Sequence, residues 1–193
     1  DGKEGAKIFD LNTIIKNEYN FDKTYDLVTN FGTSEHIFNQ NNVFENMHNL
    51  TGKNGLMIHM LPFEGHINHC YFNYHPNLFY DLAIHNDYEI HGFYYFSYRP
   101  TKYFRTYHGM NYIKPLKYNN DLLFYLAKLE NKGKLLISRF SGSELCVIYK
   151  KINNNKFFSP FDEQFGTIDT KLKNNYKKTR VRPDMPGYAT YSE

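Results

Sequence analysis

The sequence predicts an α/β fold built on parallel strands, and three observations carry that expectation. Two short apolar runs, Tyr25-Asp26-Leu27-Val28 and Leu56-Met57-Ile58, have the composition of strands buried on both faces. Between them Ile37, Phe38, Phe44, Met47 and Leu50 recur close to helical spacing, which predicts a helix from about residue 37 to 51. Gly32 breaks the chain after the first run, and Gly52 with Asn54-Gly55 is expected to end the helix. Strand, helix and strand in that order predict residues 25 to 30 and 56 to 60 as adjacent parallel strands with the helix packed across them. Ligands in such sheets sit outside the carboxyl ends of the strands, here residues 29 to 36 and 59 to 65.

The remaining elements follow in order. Ala6 to Asn12 reads as an apolar strand with Asp10 at its end, where a lone acid serves equally as a cap for the helix-like Thr13 to Glu18. Thr33 or Ser34 is expected to cap the central helix. After the second strand, Pro62 to Pro76 is a polar and aromatic loop too long for a mere connector. Pro76 suits the first turn of a helix with Leu78, Phe79, Leu82 and Ala83 on one face, ending at Asn86-Asp87. Tyr88 to Tyr98 is rich in aromatics and reads as a strand. Residues 99 to 120, with Pro100, Gly109 and Pro115, suggest an irregular insertion. Asp121 to Glu130 reads as a short helix, and Lys134 to Arg139 and Glu144 to Ile152 as strands around Gly142. Asn153-Asn154-Asn155 marks the expected edge of a compact domain of residues 1 to 152, followed by an extension over 153 to 193.

Composition bounds the function. The chain of 193 residues has room for one sizeable core, and 41% hydrophobic with 22% charged residues argues against general disorder. No run approaches the ~20 apolar residues of a membrane helix, and no signal-peptide core opens the chain, so no membrane association and a cytoplasmic location are expected. Cys70 and Cys146 make no disulfide framework. A net charge of +3 is too small to argue for nucleic acid by itself. Arg99, Lys102, Tyr103, Phe104, Arg105 and Tyr107 interleave charge with rings that could stack on bases, and residues 171 to 182 carry six Lys or Arg with no acid. Ten aromatics between residues 88 and 112 favour packing over that use.

The loops at the strand ends hold the candidate chemistry. Glu35 and His36 stand in the first, and His66, Asn68, His69, Cys70, Tyr71, Asn73 and His75 in the second. The blander reading makes Glu35 a first-turn residue favoured by the helix dipole and His36 a satisfied polar group. His66, His69, Cys70 and His75 raise the question of zinc, but the paired C-x-x-C spacing of structural sites is missing, and no metal is expected. A substrate wall fits better: imidazoles accept protons, Asn68 and Asn73 orient polar groups, and Tyr71, Phe72 and Tyr74 exclude water. Since both loops leave the same edge of a parallel pair, His36 and His69 are expected to share one pocket.

The order YDLV, SEHI, helix, NGLMIHMLP resembles the second half of a class I S-adenosylmethionine-dependent methyltransferase. In that family an apolar strand opening with Tyr or Phe and Asp is followed by a Glu-His pair, a helix, a glycine turn and a strand ending near proline. The resemblance covers residues 6 to 62 and loosens after about residue 90. It implies a Rossmann-like, three-layer α/β/α sheet, with ELCVIYKKI over residues 144 to 152 as the family's final antiparallel strand. It implies an enzyme with S-adenosyl-L-methionine as methyl donor and a small-molecule or sugar-like acceptor. Asp10 and Leu11 would lie near the adenine, and Asn30, Phe31, Gly32 and Glu35 would face the methionine half. His36, His66 and His69 become the candidate bases, and Asn68, Tyr71 and Asn73 the acceptor-binding side chains. The family's glycine-rich loop and ribose-binding acid have no counterpart here, since no two glycines stand one residue apart. By the family's order residues 6 to 12 would be the third strand, which implies an N-terminally incomplete domain. The alternatives are a methyltransferase-like scaffold without chemistry, suggested by the missing glycine loop, and a nucleic-acid methyltransferase using the basic, aromatic stretch and tail.

Overall fold

A computed structural model describes residues 3–66, 69–98, 110–115 and 143–160. Its strands are β1 (Tyr25–Phe31), β2 (Thr51–Glu64), β3 (Tyr88–Tyr98), β4 (Met110–Pro115) and β5 (Ser143–Lys151). The helices are α1 (Ile15–Tyr19), α2 (Gln40–Leu50) and α3 (Pro76–Asn86), with a 3₁₀ turn at Ser34–His36. The strands form one open mixed sheet in the order β1-β2-β5-β3-β4. β1 and β2 are parallel, while β5 lies between β2 and β3 and runs antiparallel to both.

The expected crossover is therefore present, in register from Leu27 opposite Leu56 to Phe31 opposite Met60. Its boundaries differ. Ile37 is extended at φ −101° and ψ 125°, so no helix runs through it. Asn39, rather than Thr33 or Ser34, caps α2, its side chain accepting from the Asn42 amide at 3.1 Å. At the other end Gly52 and Asn54-Gly55 do not separate helix from strand, because β2 begins directly at Thr51. Tyr25 pairs with Thr51 and Leu27 with Leu56, so the intervening residues bulge from the ladder, with Asn54 at φ 65°.

β1 was expected to be buried on both faces, yet Tyr25, Leu27 and Phe31 are 47%, 53% and 53% exposed. Among the described residues β1 is the edge strand, with only β2 beside it. Residues 6 to 12 do not form the expected strand; they are loop and turn. Asp10 holds that turn, its carboxylate accepting from the Asn12 amide and side chain and its carbonyl from Thr13.

One face of the sheet carries the core. Phe44 of α2 and Phe79 of α3 both pack on His59 of β2, at 5.7 and 6.0 Å between ring centroids, so the two helices share that face. Met57 and Leu61, Leu145, Val147 and Tyr149, and Phe93 and Tyr95 join them in one cluster. Phe79 is fully buried, and its loss to Ala would cost about 3–5 kcal/mol in transfer and cavity terms. The described residues thus make two layers, and the third layer that the resemblance implies is not among them.

α3 has Pro76 at its start and Asp87 in the left-handed conformation at its end, as the sequence suggests, and β3 keeps its expected bounds. The stretch 99 to 120 is not wholly irregular, since β4 lies within it and pairs with β3. The expected helix at 121 to 130, the strand at 134 to 139 and the basic tail at 171 to 182 lie outside the described residues. Beyond β5 the chain returns over α2 and α3. Phe157 enters the core, and Asn86 exchanges two hydrogen bonds with the Phe158 backbone, at 2.9 and 2.8 Å. Among the described residues no helix is long and apolar enough to cross a membrane.

Candidate functional site

Two loops leave the carboxyl ends of β1 and β2 at the same edge, and backbone hydrogen bonds tie them together. The Tyr71 and Phe72 amides donate to the Glu35 carbonyl at 3.0 and 3.3 Å, and the Tyr74 amide donates to the Pro62 carbonyl at 2.8 Å. Gly32 turns the first loop with φ 59° while its amide donates to the Met60 carbonyl. A side chain on Gly32 would come within 3.5 Å of Glu35 Oε1, so the carboxylate folds back over this glycine.

Glu35 is buried, whereas His36 and His69 are exposed. His36 Nε2 stands 3.8 Å from Glu35 Oε1, and the His36 and His69 rings meet edge to face at 5.1 Å. The structure places the two histidines together across the loops. His66, at φ 49°, sets its ring 5.7 Å from that of His69. Glu35 Oε2 and His66 Nε2 are buried with no hydrogen-bond partner among the described residues.

Beneath the loops runs a buried polar network that spacing alone does not reveal. The Ser34 amide donates to Asn30 Oδ1 at 3.1 Å, which fixes the Asn30 amide so that Nδ2 donates to Ser34 Oγ at 3.0 Å and to His59 Nδ1 at 3.2 Å. His59 Nδ1 therefore carries no proton, and burial pushes the imidazole down to about 3. Gln40 Nε2 donates to the Ser34 and Ile37 carbonyls, leaving Gln40 Oε1 as acceptor for the Tyr74 hydroxyl at 2.7 Å. With its single proton so used, Tyr74 accepts from the Ser34 hydroxyl at 3.0 Å. Burial raises the Tyr74 phenol well above its usual range. The network ties β1, β2, α2 and the second loop into one rigid floor.

The other residues expected at the site divide. Asn30 and Gly32 belong to the floor and the first loop, while Phe31 points to solvent. Asp10 is exposed, and its hydrogen bonds all fall within residues 10 to 19; Leu11 packs against the core. Tyr71 is 73% exposed and so does not form the expected wall, whereas Phe72 is half-buried against Phe38 at 6.4 Å. Asn73 is exposed, and Asn68 lies outside the described residues. Cys70 Sγ points to the Phe72 carbonyl at 3.3 Å, and burial, then the charge of Glu35, hold its thiol above the usual range.

A separate concavity of about 330 Å³ opens at the other end of β1 and β2, lined by Lys16, Lys23, Lys53, Lys151 and Lys156 with Asp22. None of the expected site residues lines it. There Lys151 Nζ donates to the His48 and Thr51 carbonyls at 2.8 and 2.9 Å, capping the carboxyl end of α2 with a cation.

Comparison with family models, curated proteins and solved structures gives no match.

Proposed function

We propose that this chain carries part of the site of an S-adenosylmethionine-dependent methyltransferase acting on a small-molecule or sugar-like acceptor. The observation that supports the reading most is the convergence of His36 and His69 at the carboxyl ends of two parallel strands, where α/β sheets bind ligands. The position of β5, antiparallel between β2 and β3, agrees with the final strand that the resemblance implies. In the reaction a lone pair of the acceptor attacks the sulfonium methyl carbon, the carbon–sulfur bond breaks, and a neutral thioether leaves. A histidine takes the proton that the acceptor gives up. Most of the acceleration would come from holding acceptor and methyl in attack geometry, about 3–3.5 Å apart, on the rigid floor beneath the loops.

The test is a binding titration with S-adenosylmethionine and a methyl-transfer assay on small hydroxyl- and amine-bearing acceptors. Both are run on residues 1–193 and on any longer chain that the gene encodes. The longer chain should bind the donor saturably and transfer methyl, and the shorter should bind poorly for lack of a glycine-rich loop. Micromolar binding by residues 1–193 would mean that the donor site is misplaced. Failure of both chains to bind would favour the scaffold reading.

A further inference from the structure

A buried carboxylate oxygen without a hydrogen-bond partner is the least explained atom among the described residues. The Glu35 side chain is only 2% exposed, and its Oε2 has no hydrogen-bond partner among the described residues. Its one ion-pair contact among the described residues, to His36 Nε2 at 3.8 Å, is too long for a hydrogen bond. Burying a carboxylate so poorly compensated is expensive unless a cation neutralises it. Besides the Cys70 thiol and the Tyr74 hydroxyl, which feel its charge, two imidazoles face it, and donor atoms of Glu35, His36 and His69 all lie within 4.8 Å of one another.

We propose that Glu35, His36 and His69 bind a divalent transition-metal ion of the zinc class. A set of two imidazoles and one carboxylate suits such an ion, whereas magnesium and calcium take oxygen ligands. Glu35 is the fixed member, since its carbonyl is held by Tyr71 and Phe72 and its carboxylate is folded over Gly32. His36 and His69 are the exposed members, with room for their side chains to turn. Donors around a tetrahedral zinc stand about 3.3–3.5 Å apart, so side-chain rotation of the two histidines closes the set. Three protein ligands leave an open position toward solvent, the arrangement of catalytic rather than structural zinc sites.

The histidines and cysteine of the second loop alone do not make this site. Cys70 Sγ is directed at the Phe72 carbonyl, and His75 Nδ1 accepts from the Asn77 amide at the start of α3. The missing ligands come from the first loop, brought over by the bonds to the Glu35 carbonyl. His66 stands beside the set, ring to ring with His69, and is not required for it.

The test uses the 193-residue chain, stripped with a chelator and titrated with Co²⁺, Zn²⁺ and Mg²⁺ in the absence of any methyl donor. One Co²⁺ per chain should bind with visible d–d bands, Zn²⁺ should displace it, and Mg²⁺ should not. His36→Ala and His69→Ala should each weaken Co²⁺ binding at least about tenfold, as should Glu35→Gln, while His75→Ala leaves it within about twofold. If Glu35→Gln fails to fold, the two exposed histidines still decide. Binding that His36→Ala and His69→Ala leave intact, or no d–d bands at millimolar Co²⁺, overturns the proposal. Because no methyl donor is present, that failure leaves the methyl-transfer reading standing, and failure of methyl transfer leaves the metal site standing.

Discussion

The Tyr71 amide donates to the Glu35 carbonyl at 3.0 Å, and this bond sets where His69 stands relative to His36. The side chain of Tyr71 contributes little to that role, being 73% exposed. Tyr71→Ala should therefore leave unfolding nearly unchanged. Tyr71→Pro, which deletes the donor, should cost about 1–3 kcal/mol and separate the two imidazoles. Denaturant unfolding of the two variants, with histidine cross-peaks by NMR, reads both effects. Equal stability of the two variants would show that the loop does not hang on this amide.

In metal-free protein, where their ring nitrogens are open to a proton, His36→Ala and His69→Ala should each lower methyl transfer by about 10²–10⁴-fold if the histidine acts as base. Both side chains are exposed, so unfolding should shift by no more than about 0.5 kcal/mol. A variant that melts earlier but turns over normally when folded would assign its histidine to structure.

Asn30 makes three hydrogen bonds to two residues, so Asn30→Ala should be costly, at about 2–4 kcal/mol, because Ser34 and His59 are left with unmet polar atoms. Tyr74→Phe removes one hydroxyl from the same network and should cost about 1–2 kcal/mol. The double variant should lose less than the sum of the two, since both share Ser34. Strict additivity in urea unfolding would mean that the hydroxyl chain does not act as a unit.

Acid should unfold the protein through its buried imidazoles. Burial holds His59 near 3 and, with the Lys151 charge, His48 at about 4, both below the free value of 6.5. The stability that each neutral ring contributes is present above pH 6.5 and is lost as pH falls toward the folded value, by up to about 1.4 kcal/mol per pH unit per ring. His59 is packed among Phe44, Phe79 and Tyr149, with Asn30 on its Nδ1, so among the described residues no counter-charge offsets its protonation. His59→Gln should therefore roughly halve the loss of stability between pH 6 and 4.5, whatever it does at pH 7. An unchanged slope in urea unfolding at several pH values would place the acid sensitivity elsewhere.

The crossover was legible because its signals are local. Tyr25 to Val28 and Leu56 to Ile58 are apolar runs, and Gly32 marks the turn between strand and helix. Pro76 and Asp87 likewise bound α3 by their own backbone preferences. The full length of β2 was not legible, since Thr51 to Gly55 reads as a turn until Tyr25 is known to pair across it. The exposure of β1 is not legible either, because an apolar run does not say how many neighbours a strand will have. At the site, the meeting of His36 and His69 followed from topology. The floor of Asn30, Ser34, Gln40, Tyr74 and His59 did not, because it joins polar residues from β1, α2, the second loop and β2 that no spacing rule relates.

β1 also bears on how the protein behaves in bulk. Its outer backbone groups lie beside exposed Tyr25, Leu27 and Phe31, and Asp26 is the single charge in the strand. Natural sheets blunt such rims with lysine, proline or a bulge. Among the described residues nothing pairs with this rim, so a neighbouring copy would meet backbone groups and apolar side chains together. Lysine in place of Leu27, itself half exposed, is expected to raise the concentration at which the chain stays dispersed while leaving unfolding unchanged.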